Sequence, residues 1–151
     1  MNEKAQQYWN EFWVGREQPA NVTAEQFGMP GTEMANELAQ LIIKGAKTAT
    51  CSNYDGYKQE GEPIPEVGMY TVILNSKDDP VAIIKTTDVQ IIPMNEVTPE
   101  FAAAEGDLSY EYWYNCHKRY FTIEMAEYGK EFSEDMLLIC ERFELVDVKE
   151  K

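Results

Sequence analysis

No CxxC spacing links the three cysteines, Cys51, Cys116 and Cys140, and there is one histidine, His117. An odd number of thiols without a framework reads as reduced cysteines in a cytoplasmic protein. A single histidine excludes a multi-histidine metal site. Neighbours on a helix point about 100° apart, so Cys116 and His117 are not placed to chelate one ion. No metal and no cofactor is expected. Basic residues are also scarce: 13 Lys plus Arg stand against 27 Asp plus Glu, a net charge of −14. Backbone binding to nucleic acid draws its affinity from Lys and Arg that neutralise phosphates. A long duplex DNA partner is therefore excluded. Apolar runs are only a few residues long, far short of the roughly 18 that mark a membrane span. The polar opening MNEKAQQYWNEFW holds no signal core. GxGxxG, P-loop, HExxH and GxSxG motifs are missing, as are repeats and low-complexity tracts.

What is present is a chain of 151 residues, 44% hydrophobic and 12% aromatic. That length predicts one domain over residues 1–151, with an N-terminal helical extension to about residue 26. Such a domain buries roughly two-thirds of its unfolded surface and needs no disulfide staple. Tyr8, Trp9, Phe12 and Trp13 at helical spacing predict a first helix over Glu3 to Val14. Gly15 to Gly31 reads as a loop. Thr32 is placed as the N-cap of a helix ending at Gly45, which has the character of a left-handed C-cap. Lys47 to Ser52 is short, Thr-rich and extended. Tyr54 to Val67 reads as an exposed loop because it contains Gly56, Gly61, Pro63 and Pro65. Strands follow at Met69 to Leu74 and Val81 to Ile92. Thr98-Pro99 opens a short helix through Ala104. Ser109 caps a longer one to about Glu127, and Met136 to Val146 closes the chain as a strand. This mixed order predicts an α+β fold, a small curved sheet or barrel flanked by helices.

Three segments carry chemistry. In Gly45-Ala-Lys-Thr-Ala-Thr-Cys-Ser52, strand alternation puts Thr48, Thr50 and Ser52 on one face, about 7 Å apart. Lys47 joins them only if it sits in the bend after Gly45. An ordinary helix end followed by a Thr-rich strand accounts for the same residues. The second segment is Glu105-Gly106-Asp107. It lies within Ile91 to Cys116, which holds several carboxylates and no Lys or Arg. Such a stretch is either a solvated face or the source of a carboxylate that pairs with Lys47 and tunes both groups. The third is Trp113, His117 and Phe121, spaced by four on one helix face. They are either core or the wall of an aromatic pocket that stacks a flat ligand.

In order and spacing these segments resemble the ASCH domain family of PUA-like proteins. The resemblance rests on Phe27-Gly28, the helix Glu37 to Gly45, Gly45-Ala-Lys-Thr-Ala-Thr50, Pro65-Glu-Val-Gly68 and Val81-Ala-Ile-Ile-Lys-Thr-Thr87. It also includes Glu105-Gly-Asp107 followed by Trp113 and His117. The match runs from about Phe27 to the closing strand and is nearest to the longer bacterial members. It implies a small mixed or antiparallel β-barrel of PUA-like type, flanked by helices, with a cleft between them. It further implies RNA or nucleoside ligands. Small bacterial members remove the acetyl group from N4-acetylcytidine with the Lys and second Thr of G-x-K-x-x-T and a downstream Glu. Here these positions are Lys47, Thr50 and Glu105. Thr48, Ser52, Asp107, Trp113 and His117 are the expected substrate-binding residues. Where the small amidohydrolases carry an Arg two places after the second Thr, this chain has Ser52, which removes a bidentate donor.

The resulting expectation is a cytoplasmic amidohydrolase acting on an acylated nucleoside or similar small ligand. The alternatives are a non-catalytic module for nucleotides or short single-stranded RNA, and a ribonuclease that needs no metal. Met34 to Lys58 is nearly neutral in an otherwise acidic chain, which tilts the choice toward a small substrate.

Overall fold

A computed structural model describes residues 1–106 and 109–149. Among the described residues the sheet has five strands: β1 (Val22–Glu25), β2 (Ala49–Asn53), β3 (Tyr70–Leu74), β4 (Pro80–Pro93) and β5 (Leu137–Val148). Their spatial order is β1-β3-β4-β5-β2. All pairings are antiparallel except β1 with β3. The architecture is the expected α+β mixture. The sheet bends but does not close, with β1 and β2 as its edges. Register shifts at Ile83/Ile84 and Thr86/Asp88 add local twist along the long β4–β5 ladder.

Burial on both faces explains why β3 and the first part of β4 carry the apolar stretches Val72–Leu74 and Val81–Ile84. Val72, Leu74 and Ile83 pack against Ala5, Tyr8 and Trp9 of helix α1 (Glu3–Phe12). Ile73, Ala82 and Ile84 face Ala39 and Ile42 of α2 (Glu33–Ile43) on the opposite side. A strand covered on both faces has no polar side to show. The third cluster joins Phe101 of α4 (Pro99–Ala104) and Trp113, Phe121 and Met125 of α5 (Tyr110–Glu127) to Ala49, Leu138 and Cys140. It seats both helices on the β2 end of the sheet.

Local chemistry sets the element ends. The Ser109 hydroxyl accepts from the Tyr112 N–H at 3.0 Å, and Thr98 accepts from Phe101 at 3.2 Å with Pro99 at the first turn. Thr32 occupies the N-cap position but donates to the Met29 carbonyl instead.

Two segments expected to be loops are regular. Val22–Glu25 forms edge strand β1, and Tyr54–Glu60 is helix α3. Asn53 caps α3 by accepting from the Asp55 N–H at 3.0 Å. Gly61, at φ +67°, closes it. Among the described residues, no helix is long and apolar enough to cross a membrane.

Candidate functional site

Helix α2 ends in a reversal that aims Lys47. The N–H groups of Ala46 and Lys47 both donate to the Leu41 carbonyl, at 2.9 and 3.1 Å. Gly45 between them and the helix has φ +80°, a left-handed conformation that glycine adopts without a Cβ clash. Lys47 therefore lies in the bend before β2, buried to 4% exposure. Its Nζ donates to the Ala49 carbonyl at 2.8 Å and lies 3.5 Å from Glu105 Oε1. The Phe27 ring lies beneath it, 6.0 Å from Nζ to centroid.

Glu105 is the last residue of α4's end turn and is 5% exposed. Its Oε1 accepts from the Cys51 N–H at 3.2 Å, and its Oε2 from the Cys51 thiol at 3.4 Å. The Trp113 indole N–H also donates to Oε2. Every one of these neighbours is a donor, so Glu105 is arranged as an acceptor. Gly106 follows at φ +91°, where a Cβ would lie 3.3 Å from Leu41 and 3.5 Å from the Ala46 carbonyl. This close approach joins the α4 turn to the Lys47 bend.

On α5, His117 Nδ1 lies 2.7 Å from the Trp113 carbonyl. A carbonyl only accepts, so Nδ1 is the donor. Nε2 faces Glu105 Oε2 at 3.7 Å. The imidazole stacks on Trp113, with centroids 4.6 Å apart.

These groups open onto a cavity of about 540 Å³ between α2, α5 and the β2–β5 end of the sheet. Lys47, Thr50, Ser52, Glu105 and His117 all line it. Ser52 Oγ lies 3.0 Å from the Tyr57 hydroxyl of α3. Thr48 does not line the cavity. It is exposed, with its N–H on the Ala104 carbonyl and its own carbonyl on Phe143 N–H. The hydroxyl row is thus Thr50 and Ser52, without Thr48. Trp113 is fully buried between Tyr110 and His117. It holds Glu105 and offers no open ring face to a ligand. Asp107 lies outside the described residues.

Several lining residues carried no signal in the sequence reading. Glu25 of β1 and Glu141 of β5 bring two carboxyls to the cavity from distant strands. Burial pushes Glu141 up to about 6, with the Thr86 hydroxyl partly offsetting it. Glu25 opens to solvent at its surface although the cavity walls surround it. That enclosure, with Glu141 and Glu62 nearby, pushes it up to about 7. Burial drives the Cys51 thiol well above its ordinary value, and neighbouring Glu105 adds to this. Cys51 stood inside the Lys-Thr motif, but nothing local linked it to residue 105.

Cys51, Glu105 and His117 bring one potential ligand atom each within 4.8 Å of one another. Both Glu105 oxygens already accept hydrogen bonds, and the Lys47 ammonium is 3.5 Å from one of them. A cation placed there would displace N–H donors and meet a like charge. The trio is built as a hydrogen-bond cluster around Glu105.

The sequence model of the ASCH domain matches residues 23–147. The chain belongs to the ASCH domain family. An ASCH domain from Lactobacillus crispatus JV V101 shares 35% identity and superimposes with a TM-score of 0.89. The match covers 96% of this chain and 95% of that one. A protein of family DUF984 from Enterococcus faecalis V583 is 44% identical, with a TM-score of 0.88, over 98% of this chain and 91% of that one. A mutant ASCH protein from Zymomonas mobilis, 14% identical with a TM-score of 0.50, covers 85% of this chain and 73% of that one. At that identity the likeness concerns the fold alone. No curated protein matches in sequence. The bent mixed sheet with flanking helices is the PUA-like fold of ASCH domains. In this ASCH chain the helix α1 lies ahead of the matched region.

Proposed function

We propose that this ASCH protein hydrolyses an amide on a small acylated nucleoside of the N4-acetylcytidine kind. Water is consumed, and a carboxylic acid and a free amine are released. The observation that carries this reading is that the buried Lys47–Glu105 pair, Thr50 and Ser52 all line one cavity. Lys47 is arranged as a donor: its one short contact is to the Ala49 carbonyl, and the Glu105 oxygens lie at 3.5 Å. An ammonium has three N–H bonds, and two of its three acceptors lie at the long distance of 3.5 Å, so a substrate oxygen can take the place of one. In a water-poor pocket such a donor favours the negative oxygen that develops as an amide carbonyl is attacked. Glu105 fixes the ammonium there. Thr50 supplies the hydroxyl nucleophile, and Ser52 and His117 contact the substrate.

The lining also favours a ligand without phosphate. It carries Glu25, Glu37, Glu105, Glu124 and Glu141 against Lys47 as its one Lys or Arg among the described residues. A phosphate would meet repulsion there, whereas hydroxyl and amino groups would meet acceptors. This argues against a track for RNA.

The test is incubation of the purified protein with N4-acetylcytidine and related acylated nucleosides, beside Lys47→Ala. Release of the deacylated nucleoside by the wild type, and its loss in the variant, is the expected result. No turnover of any of these compounds, or equal turnover in both proteins, would overturn the reading.

A further inference from the structure

We infer that Glu141 is the general base that takes the proton from the Thr50 hydroxyl, a role that rests on the amidohydrolase reading above. The ground is the register of β2 on β5, where Thr50 lies directly opposite Glu141. Directly opposite residues of an antiparallel pair project to the same face with Cβ atoms about 5 Å apart. A glutamate side chain spans that gap, and both residues line the cavity. Thr86 of β4 donates to Glu141 Oε1 at 3.4 Å and steadies the carboxyl from behind.

Glu105, Lys47 and His117, the titratable groups of the Lys-Thr motif and its partners, are engaged elsewhere. Successive side chains of a strand point to opposite faces. Cys51 sends its thiol to Glu105, so the neighbouring Thr50 points away from Glu105. The Glu105 oxygens take donors from Cys51, Trp113 and Lys47. Lys47 itself donates to the Ala49 carbonyl. His117 turns Nδ1 to a carbonyl and Nε2 toward Glu105. Burial that raises Glu141 to about 6 brings it near the working pH, where a general base is most effective.

The step balances as follows. Thr50 Oγ bonds to the acyl carbon while its proton passes to Glu141. The C–N bond then breaks, and Glu141 returns that proton to the leaving nitrogen. Water next attacks the Thr50 ester, giving a proton to Glu141. Glu141 passes it to Thr50 Oγ as the C–O bond breaks, freeing the acid.

The experiment uses the full chain, with N4-acetylcytidine as one substrate and p-nitrophenyl acetate as another. Wild type, Thr50→Val, Glu141→Gln and Glu141→Asp are compared for kcat, for the acetyl mass on Thr50, and for cytidine affinity. Glu141→Gln is expected to lose about 100-fold or more in kcat, with cytidine affinity nearly unchanged. Glu141→Asp should recover part of the loss, and ester labelling of Thr50 should slow in Glu141→Gln. If nucleosides are not cleaved but the ester labels Thr50 in a Glu141-dependent way, the base assignment stands and the nucleoside reading falls. Nucleoside turnover that survives in Glu141→Gln overturns the base assignment and leaves the function. Wild type that neither cleaves nucleosides nor acquires an acetyl group on Thr50 overturns both.

Discussion

The indole N–H of Trp113 donates to the Glu105 carboxylate, and both side chains are buried. A residue of the aromatic face of α5 thereby fixes the acid at the end of α4, which in turn holds Lys47. The aromatic stripe and the charged pair are one assembly, and the predictions follow its connections.

Trp113→Phe keeps an aromatic ring, removes the donor and leaves a gap where the larger indole was fully buried. Glu105 would then be left short of one partner in a buried setting. The expected loss is about 1–3 kcal/mol of stability, read by urea unfolding. Turnover of an acylated nucleoside should fall by about tenfold to a hundredfold as Lys47 loses its fixed position.

Lys47→Met leaves Glu105 buried without its counter-charge. Breaking such a pair from one side costs about 3–5 kcal/mol. Glu105→Gln alone should also destabilise. The double variant should cost less than the sum of the two, with a coupling of about 0.5–3 kcal/mol. Additive losses in denaturant unfolding would show that the pair does not interact.

The raised carboxyls make stability depend on pH. Glu141 is held near 6 and Glu25 near 7, against an ordinary 4.5. The folded protein therefore keeps protons there that the unfolded chain releases between about pH 4.5 and 7. Their contribution to stability is complete below about 4.5 and is lost as pH rises through about 6 to 7. Glu141→Gln removes its share. Its unfolding free energy should match wild type at pH 4.5 and exceed it at pH 8 by up to about 1 kcal/mol after solvent screening, with Tm moving the same way. Parallel Tm curves across that range would count against the assignment of Glu141 as a strained carboxyl.

The parts legible in the sequence are those set by near neighbours. Ser109 and Thr98-Pro99 announced their helices because a cap bonds two or three residues ahead. Gly45 announced the bend that aims Lys47. Segment α3 was hidden by Gly56, a poor helix former. Its stability comes instead from Asn53 and Gly61 at its ends and from the sheet below. Strand β1 was hidden because four residues between Gly and Pro give no period, and it pairs with β3, far along the chain. Thr48 was assigned to the hydroxyl row by ideal alternation. The strand begins one residue later, at Ala49, and leaves Thr48 in the bend with its backbone bonded to Ala104 and Phe143.

The scarcity of histidine and of basic residues, and the spacing of the cysteines, are properties of the sequence itself. Local capping and alternation determined most helices and strands and the α+β class, and the family resemblance implied Lys47, Thr50 and Glu105. The fold decided which of these meet. Cys51 reaches Glu105, Trp113 turns inward to it, and Glu141 comes to lie opposite Thr50 through the β2–β5 register. The reason is physical. Caps and turns are satisfied within a few residues, whereas a buried charge finds its partners only when distant strands and helices pack together.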